Sequence, residues 1–569
     1  MRQLWLNHRG RIIAGAVGLV LLALLPLVPG TTTPAGRHYD WTALLPPLVA
    51  IFLALTTRRL LVSLGGGVLS GALLHHGLVL GVPYGVRDYV WKNALESSHL
   101  YIIGFTLALL GMVQVTARSG GARGIVESVA RWVGSARSTK LGTAIMGVLV
   151  FFDDYANCML VGPTMRPLSD RWRVSREKLA YLVDSTAAPI AGLVLISTWI
   201  GYETGLLGDV ARDLGVHQSG YALLFTALPY RFYCIFTICF VFISSASDRD
   251  FGPMLEAERR ARFEGKPTRD GAQPLGQVDT RYAEPPPGKP RRWINAALPL
   301  VTVIVGTLGG LIVDGGGSAR LRAHPFSLLS FGFWQDTLGA SENNVAVLFY
   351  AALAGAAMAV LLPLVQRILT PTEALGAFLG GVRAALYAVV VLILAWGLAA
   401  VCKDLGTGPV LVAAIGRSIP PVAVPMVTFL AAAAVAFATG TSWGTMAILI
   451  PTAVPLAHHV GGQPLMLISM AAVLDGSIFG DHCSPISDTT LMSSIASGSD
   501  HLDHVYTQLP YAVSAMLLAL FAGYLPAALG APAPLSYGLG IVATFCLIYL
   551  LGRRLGDAPP AAVSDPPSS

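Results

Sequence analysis

Six aspartates lie within or beside strongly apolar segments of the sequence. A carboxylate inside a membrane segment is energetically costly, so such residues usually mark an ion or proton pathway. Burial favours the protonated form of a carboxyl group, whereas a bound cation favours the ionised form, so one group can hold either Na+ or H+ but not both. That competition is the simplest chemistry for exchanging the two ions. The six residues are Asp153, Asp154, Asp184, Asp475, Asp481 and Asp488.

Hydroxyl, amide and imidazole side chains stand close to these aspartates in the sequence. Hard cations prefer oxygen ligands, and an unwound helix adds backbone carbonyls. His482 directly follows Asp481, and its titration near neutral pH suits either a proton relay or a structural role. The further candidates for ion binding and coupling are Asn157, Ser185, Thr186, Thr441, Ser442, His482, Ser484 and Thr489.

Several charged residues also have a structural interpretation. Asp488 can cap a helix, and Asp475 can pack against another polar group. Arg231 lies deep in an apolar run, where it can pair with an acidic group, extend to the membrane surface or act in transport. Solvated charges at the membrane surface are expected for Asp170, Glu177 and Glu203.

The composition requires lipid as the solvent for much of the chain. Of 569 residues, 54% are hydrophobic and only 12% are charged, against roughly 25% charged in soluble domains. The formal net charge is +6. In a membrane protein such an excess of basic residues usually reflects cytoplasmic loops and does not indicate nucleic-acid binding. The six cysteines show no zinc-binding spacing. We expect no cofactor, and no metal other than transported Na+.

Apolar runs of membrane-spanning length recur along the chain, at about 20 residues each. The first follows a basic start that also fits a signal peptide, but it is interpreted as an uncleaved helix because further spans follow. The candidate spans are 12–29, 41–57, 60–81, 100–117, 179–201, 221–245, 294–313, 344–366, 384–402, 464–497, 509–527 and 537–552.

Residues 141–167 do not form a simple span. Two apolar halves of about 12 residues, LGTAIMGVLVFF and CMLVGPTMRPL, flank the polar run DDYAN, and neither half can cross a bilayer alone. Five Lys or Arg residues lie at each end of the segment, and the trailing five include Arg166, its second-to-last residue. A single crossing would place one basic flank outside, against the positive-inside rule. The segment is therefore predicted to be a re-entrant hairpin with its tip inside the protein.

Residues 424–457 follow the same plan. Here the apolar halves PMVTFLAAAAVAFA and MAILIPTAVPLA flank the tip TGTSWGT. Counting spans makes this hairpin enter from the opposite side. The resulting topology places 29 of the 38 Lys and Arg residues inside and eight outside, with Arg231 in a span, as the positive-inside rule requires.

The two hairpins also share sequence. PTMRPL at 163–168 matches PTAVPL at 451–456, and each hairpin is followed by an apolar segment with a polar break, at 179–201 and 464–497. Opposite orientation and corresponding broken helices indicate an inverted-topology repeat with a transport site at the breaks.

The predicted fold is therefore an all-α polytopic membrane protein with inverted-topology repeats, each with a re-entrant hairpin and a broken transmembrane helix. Its predicted parts are an N-terminal half (1–245), a charged, Pro-rich cytoplasmic linker without its own core (246–293), a C-terminal half (294–554) and a disordered tail (555–569).

Three blocks resemble the NhaC-type Na+/H+ antiporter family of the ion-transporter superfamily. They run over 151–203, beginning FFDDYANCMLVGP, over 440–456, GTSWGTMAILIPTAVPL, and over 480–512, beginning GDHCSPISDTTLM. The resemblance implies a secondary transporter with two hairpins, in a group whose members often dimerise. The members of this family also include exchangers that couple Na+ and H+ to organic acids such as malate and lactate. The positions that match the family's motifs are Asp153, Asp154, Asn157, Asp184, Ser185, Thr186, Thr441, Ser442, Asp481, Ser484, Asp488 and Thr489.

The predicted function is exchange of Na+ for H+ by a multi-pass protein of the bacterial inner membrane, with both termini cytoplasmic. The alternative within transport is Na+- or H+-coupled exchange of a small organic acid or amino acid. A third hypothesis is an intramembrane aspartyl hydrolase, which requires one tight pair of carboxylates. Such an enzyme does not require the duplicated, oxygen-rich hairpin tips of this sequence. We therefore expect that the protein is not an enzyme. The expected partners are the lipid bilayer, Na+, H+, a small organic anion under the alternative, and a second copy of the chain, but no nucleic acid.

Overall fold

The computed structural model describes residues 31–32, 38–57, 59–130, 132–274, 288–341, 343–415 and 419–555. Among these, nine helices are long and apolar enough to cross a membrane, and a tenth crossing is a pair bent by 50° at Arg231. The predicted span 12–29 and the tail after 555 lie outside the described residues. The nine helices are Leu60–Lys92, Ser97–Arg118, Ile294–Asp314, Asn344–Val365, Pro371–Asp404, Pro421–Thr439, Ser442–Cys483, His501–Ala528 and Ala533–Leu551, and the bent pair is Gly220–Tyr230 with Phe232–Ser247.

The remaining elements are shorter, and they include both hairpin arms of the N-terminal half. The short helices are Leu45–Thr57, Gly121–Ala130, Ala136–Leu149, Asp154–Arg171, Arg176–Ser185, Ala188–Ala191, Thr198–Asp213, Gly252–Arg259, Gly317–Ala323, Phe331–Ala340, Thr407–Ile415 and Asp488–Ser497. Two antiparallel strand pairs join Thr31–Thr32 with His38–Tyr39 and Arg249–Asp250 with Arg553–Arg554. The all-α polytopic fold predicted from the sequence is confirmed.

The first hairpin consists of Ala136–Leu149 and Asp154–Arg171, joined by a four-residue turn. At 1.5 Å per residue, an arm of 14 residues cannot cross a bilayer core of about 30 Å. The outer ends of both arms contact the same residue. Lys140 Nζ lies 3.3 Å from Glu258 Oε2, and the backbone N–H of Ser175, just beyond the second arm, donates to Glu258 Oε1 over 2.8 Å. Both ends therefore lie on one side, as a hairpin requires.

The second hairpin consists of Val424–Thr439 and the first part of Ser442–Cys483. Gly440 forms its turn with φ +70°, a conformation that favours glycine. The helix that follows leaves helical geometry at Gly461 and Gly462, where the hairpin ends. In each hairpin the second arm begins at the same distance before the repeated Pro-Thr motif, with Asp153 and Thr441 as the N-cap residues, which is consistent with the repeat read from the sequence.

Each hairpin packs against the break in the helix that follows it. The first broken helix stops at Ser185, resumes briefly at Ala188–Ala191 and continues as Thr198–Asp213. The second stops at Cys483 and resumes at Asp488. A Cβ on Gly147 would collide with Thr186 at the first break, and one on Gly440 would collide with Ile486 at the second. Glycine at these positions therefore allows the hairpins to approach the breaks closely.

The segment expected to be an uncored linker, 246–293, is partly folded and buried. Arg249–Asp250 forms a strand and Gly252–Arg259 a helix, whose Met254 and Ala257 are buried. The expectation of a segment without a core is therefore wrong for this part; residues 275–287 lie outside the described residues. Its charge content suggested exposure, but the charges are paired with one another, which makes their burial tolerable.

Six buried charges make up this paired set, which we call the hairpin-base network. Lys178 Nζ donates to Asp250 Oδ1 over 2.7 Å, and Lys140 Nζ lies 3.6 Å from Asp250 Oδ2. Burial alone raises the pKa of the Asp250 carboxyl, but the neighbouring Lys178 and Lys140 ammonium groups outweigh it and hold the pKa below its ordinary value. Three acids thus match three bases. The members are Lys140, Lys178, Asp248, Asp250, Glu258 and Arg262.

Candidate functional site

A cavity of about 630 Å³ lies where the two hairpin tips meet the break of the second broken helix. We call it the tip cavity. Its wall carries residues from both hairpins, so two segments almost 300 residues apart in the chain form one site. Seven of the predicted site residues line it: Asp153, Asp154, Thr441, Ser442, Asp481, Asp488 and Thr489.

Asp481 connects the second break to the second hairpin. Its Oδ2 accepts a hydrogen bond from Ser442 Oγ over 3.0 Å. Its Oδ1 is buried and makes no hydrogen bond with the described residues. A buried polar atom normally has a partner. The carboxylate can therefore accept a proton or coordinate a cation at this oxygen.

The first hairpin places three polar side chains at the same cavity. Asp153 caps the second arm by accepting a hydrogen bond from the Ala156 N–H over 2.7 Å, and Asp154 follows it in the wall, buried. The Tyr155 hydroxyl donates to Asp488 Oδ2, which ties the first hairpin to the second broken helix. The N-cap of the helix Asp488–Ser497 is Ser487, so the expectation that Asp488 caps this helix is wrong. Its carboxylate instead joins the two repeats through Tyr155.

A second polar cluster, centred on Asp184, joins the two broken helices. Asp184 Oδ1 accepts from Ser493 Oγ over 2.8 Å, and Oδ2 accepts from Thr490 Oγ1 over 3.1 Å. The Gln508 amide donates to the same Oδ2 over 2.7 Å. Asp184 is not among the residues that line the tip cavity, so it is a buried, fully hydrogen-bonded carboxylate behind the cavity wall.

His482 lies between these two groups of carboxylates. Its Nε2 is 3.0 Å from Ser185 Oγ and 4.0 Å from Asp184 Oδ2, and its Nδ1 is 2.8 Å from the Tyr233 hydroxyl. Its ring contacts the Asp184 cluster, and its backbone directly follows Asp481, which lines the tip cavity. This placement suits a proton relay, and the three hydroxyl and carboxylate partners equally satisfy it as a structural residue.

The remaining oxygen ligands proposed from the sequence hold the hairpins to the breaks. Asn157 Nδ2 donates to the carbonyls of Gly147 and Thr186 over 2.7 and 2.9 Å, and Ser484 Oγ donates to the Phe437 carbonyl over 2.7 Å. Thr186 Oγ1 donates to the Leu182 carbonyl over 2.7 Å. In these contacts the Ser484 and Thr186 hydroxyls donate to backbone carbonyls, whereas Asn157 Oδ1 is buried and accepts no hydrogen bond from the residues that the structure describes.

Asp475 lies apart from the other candidates. Its Oδ1 accepts from Arg231 Nε over 2.8 Å, and its Oδ2 accepts from the Tyr233 N–H and the Tyr524 hydroxyl over 2.7 and 2.8 Å. Glu203 approaches the same guanidinium to 3.5 Å and is fully buried. The expectation of a solvated Glu203 is therefore wrong, because Arg231 compensates its charge inside the protein.

Two other acids at the predicted surface also have cationic partners. Glu177 is buried and accepts from Arg260 over 2.7 Å, whereas Asp170 is half-exposed and pairs with Arg176 over 2.7 Å. A solvated position is therefore wrong for Glu177 and holds for Asp170. Both partners lie near the base of the first hairpin.

Several residues of the site were not singled out from the sequence. They are neutral side chains, Gln508, Ser493 and Tyr155, together with His504, which lies 3.9 Å from Asp184 Oδ2. Gln508, Ser493 and His504 fall inside the conspicuous block 480–512. His504 and Gln508 are four residues apart, which places them on one face of a helix. This spacing is the sequence feature from which their proximity could have been predicted.

The fold and the site define a multi-pass membrane transporter, in which two hairpin tips and the second helix break surround one cavity with carboxylates in its wall. The profile of the Na+/H+ antiporter family matches residues 190–525, more than half of the sequence. The chain belongs to the Na+/H+ antiporter family.

Three curated relatives extend this result. The chain is similar to an uncharacterised Haemophilus influenzae protein, with 30% identity over 90% of this chain and 95% of the relative. Over shorter regions it is similar to the malate-2H+/Na+-lactate antiporter of Bacillus subtilis (35% identity, 17% of this chain, 21% of the relative) and to an uncharacterised Na+/H+ antiporter of H. influenzae (33% identity, 18% and 23%).

Two solved structures share the fold. The YdaH transporter of Alcanivorax borkumensis matches with a TM-score of 0.57 and 14% identity, over 92% of this chain and 98% of that chain. MtrF of Neisseria gonorrhoeae matches with a TM-score of 0.51 and 15% identity, over 79% and 84%. At these identities the likeness concerns the fold alone.

Proposed function

We propose that the protein exchanges Na+ for H+ across the membrane. The observation that carries this proposal is Asp481, a buried carboxylate in the wall of the tip cavity. One of its oxygens accepts a hydrogen bond from Ser442, and the other makes none with the part of the chain that the structure describes. A proton or a Na+ ion satisfies that oxygen equally, and the two exclude each other on a single carboxylate.

The other tip carboxylates support the same chemistry. Asp153 and Asp154 line the same cavity as Asp481, and the Thr441 and Ser442 hydroxyls add neutral oxygens of the kind that hard cations prefer. We assign cation binding to this set. His482 Nε2 lies 4.0 Å from Asp184 Oδ2, and His482 follows Asp481 in the chain. We assign the Asp184 cluster and His482 to proton movement.

The test measures proton flux in proteoliposomes that contain the purified protein. Adding NaCl is expected to drive proton movement, and KCl is the ionic-strength control. The apparent Na+ affinity should strengthen as pH rises and then level off, because protons compete with Na+ for the same carboxylates. Asp481→Asn should abolish the flux while the protein still folds. Asp336→Asn, on an exposed helix, should leave it unchanged. Normal Na+-driven flux in Asp481→Asn would remove the central residue from the mechanism.

Exchange of a small organic acid is the second candidate. It is supported by the similarity to the B. subtilis malate-2H+/Na+-lactate antiporter over 100 residues and by Arg59, a cation in the cavity wall. Malate or lactate, added separately to the same proteoliposomes, distinguishes the two. Flux that requires the organic acid in addition to NaCl would favour this candidate.

We further infer that the chain lies in a bacterial inner membrane with both termini in the cytoplasm. The distribution of Lys and Arg supports this orientation. It is also supported by the strand pair between Arg249–Asp250 and Arg553–Arg554, which brings the end of the last span to the hairpin-base network, where basic residues are concentrated.

A further inference from the structure

The tip cavity is larger and more apolar than binding of Na+ alone requires. Its volume of about 630 Å³ falls within the range of roughly 300–1,000 Å³ that is typical of pockets for organic ligands. One side of the cavity is lined by aliphatic residues of three different helices, among them Leu60, Leu110 and Val391. An apolar surface of this kind contributes nothing to coordinating a small inorganic cation, but it suits the body of an organic molecule.

Aromatic rings stand beside the carboxylates in the same wall. Trp199 and Trp443 line the cavity in an edge-to-face arrangement, with ring centroids 6.1 Å apart. Tyr202 stacks on Trp443 from behind at 4.3 Å, and its hydroxyl donates to the Trp443 carbonyl, so the indole is held in place. Tyr155 and Tyr387 add two further rings. Indole and phenol faces attract organic cations.

The charges of the wall define the sign of the ligand. Among the lining residues that the structure describes, four carboxylates face a single cationic side chain, that of Arg59. When these carboxylates are ionised, a carboxylate ligand would meet an excess of negative charge at unfavourable cost, whereas an ammonium group would be attracted to it. The aromatic and aliphatic wall then accommodates the uncharged part of the same molecule.

We propose that the tip cavity binds a monovalent organic amine with an aromatic or apolar body, as a further substrate that competes with Na+. Its ammonium group lies among Asp153, Asp154, Asp481 and Asp488, and its body lies against Trp199 and Trp443. The competition with Na+ rests on the proposed function, since it requires Na+ to use the same carboxylates. Binding of the amine itself does not depend on it.

Three probes of matched shape test the charge requirement: 2-phenylethylamine, 2-phenylethanol and 3-phenylpropionate. Binding is measured by isothermal titration calorimetry on the purified full-length protein in lipid nanodiscs, without an ion gradient. The amine is expected to bind at least tenfold more tightly than the alcohol, and the carboxylate no more tightly than the alcohol. Equal binding of amine and alcohol would show that the cavity binds apolar groups regardless of charge, as a space filled by a lipid chain would. Tighter binding of the carboxylate would make it an anion site. Either result, or no binding at all, overturns the proposal.

Variants locate the site. Asp488→Asn should weaken binding of 2-phenylethylamine at least tenfold. Trp443→Leu should do the same, and Trp443→Phe should largely restore binding because it keeps an aromatic face. Asp336→Asn, on the exposed surface, should leave binding unchanged. Unchanged binding in both Asp488→Asn and Trp443→Leu would place the amine elsewhere and overturn the proposal.

Competition separates this inference from the proposed function. At equal ionic strength, NaCl should weaken binding of 2-phenylethylamine more than KCl does. If the amine binds but the two salts act alike, the amine site stands and Na+ binding at these carboxylates fails. If NaCl drives proton flux but the amine does not bind, the Na+/H+ exchanger stands and the amine site fails.

Discussion

Arg231, at the bend between Gly220–Tyr230 and Phe232–Ser247, and Asp475, in the helix Ser442–Cys483, form a fully buried ion pair with Nε and Oδ1 2.8 Å apart. Glu203 and the Tyr524 hydroxyl complete the arrangement. Every oxygen of Asp475 has a donor, and the residue does not line the tip cavity. The geometry favours a structural role for Asp475, in contrast to the ion-binding role predicted from the sequence.

Asp475→Asn is therefore expected to destabilise the protein. Breaking a buried ion pair from one side typically costs about 3–5 kcal/mol, because the remaining charge loses its compensation. The melting temperature of the purified protein should fall strongly. Asp475→Leu combined with Arg231→Met and Glu203→Gln, which leaves no member of this group charged, should recover much of the loss. Asp481→Asn, in the same helix, is the control and should melt close to the unmodified protein. A stable Asp475→Asn that has lost transport would return this residue to the ion path.

The hairpin geometry predicts that Arg137 and Arg171 face the same side of the membrane, because the adjoining ends of both arms contact Glu258. Both side chains are exposed, so single cysteines there, in a Cys546→Ser background, should react with the same membrane-impermeant maleimide from the cytoplasmic side only. A cysteine at Arg87, exposed at the other end of Leu60–Lys92 and Ser97–Arg118, should react only from the opposite side. Labelling of positions 137 and 171 from opposite sides would contradict the hairpin.

Much of this architecture follows from the sequence because the bilayer restricts it. Apolar length predicts the spans, and a polar run within an apolar segment predicts the tips at Asp153 and Thr441, since lipid cannot satisfy an unwound backbone. Partner choice does not follow in the same way. Asp475 and Asp481 are six residues apart in similar apolar surroundings, yet one meets Arg231 and the other meets Ser442.

The folded part of the predicted linker was missed for a related reason. Charge content predicts exposure only when the charges lack partners. Lys140, Lys178 and Asp250 come from three separate segments, so their mutual compensation depends on a tertiary arrangement that no local pattern records.

The hairpin-base network predicts an acid-dependent loss of stability. The pKa of Asp250 is held below its ordinary value of about 3.9, so ionised Asp250 stabilises the fold above that pH. This stabilisation begins to fall as pH drops below about 4, and it is lost as pH passes through the lowered pKa of Asp250. The reason is that the protonated carboxyl no longer pairs with Lys178. Melting temperatures between pH 7 and pH 3 measure this effect.

Asp250→Asn should lower stability at neutral pH by about 3–5 kcal/mol and flatten the acid dependence. Asp270→Asn is the matched control, because Asp270 also pairs with a lysine, Lys266, but is 84% exposed, where ion pairs contribute little. An acid profile that is the same in Asp250→Asn and in the unmodified protein would show that other groups cause the loss.

The hydrogen bond from Ser442 to Asp481 predicts an energetic coupling between the second hairpin and the second break. A hydrogen bond to a charged group contributes roughly 1.5–3 kcal/mol, so Ser442→Ala should weaken the apparent Na+ affinity about tenfold or more in the proteoliposome assay. Ser477→Ala is the matched control, since Ser477 is equally buried in the same helix but bonds only the Val473 carbonyl. The decisive comparison is a double-mutant cycle for Na+ binding. Once Asp481 is replaced by Asn, adding Ser442→Ala should cost little more, because residues that act through one contact are not additive. If instead the two losses add in full, Ser442 binds the ion independently of Asp481, and the contact between them does not set the affinity.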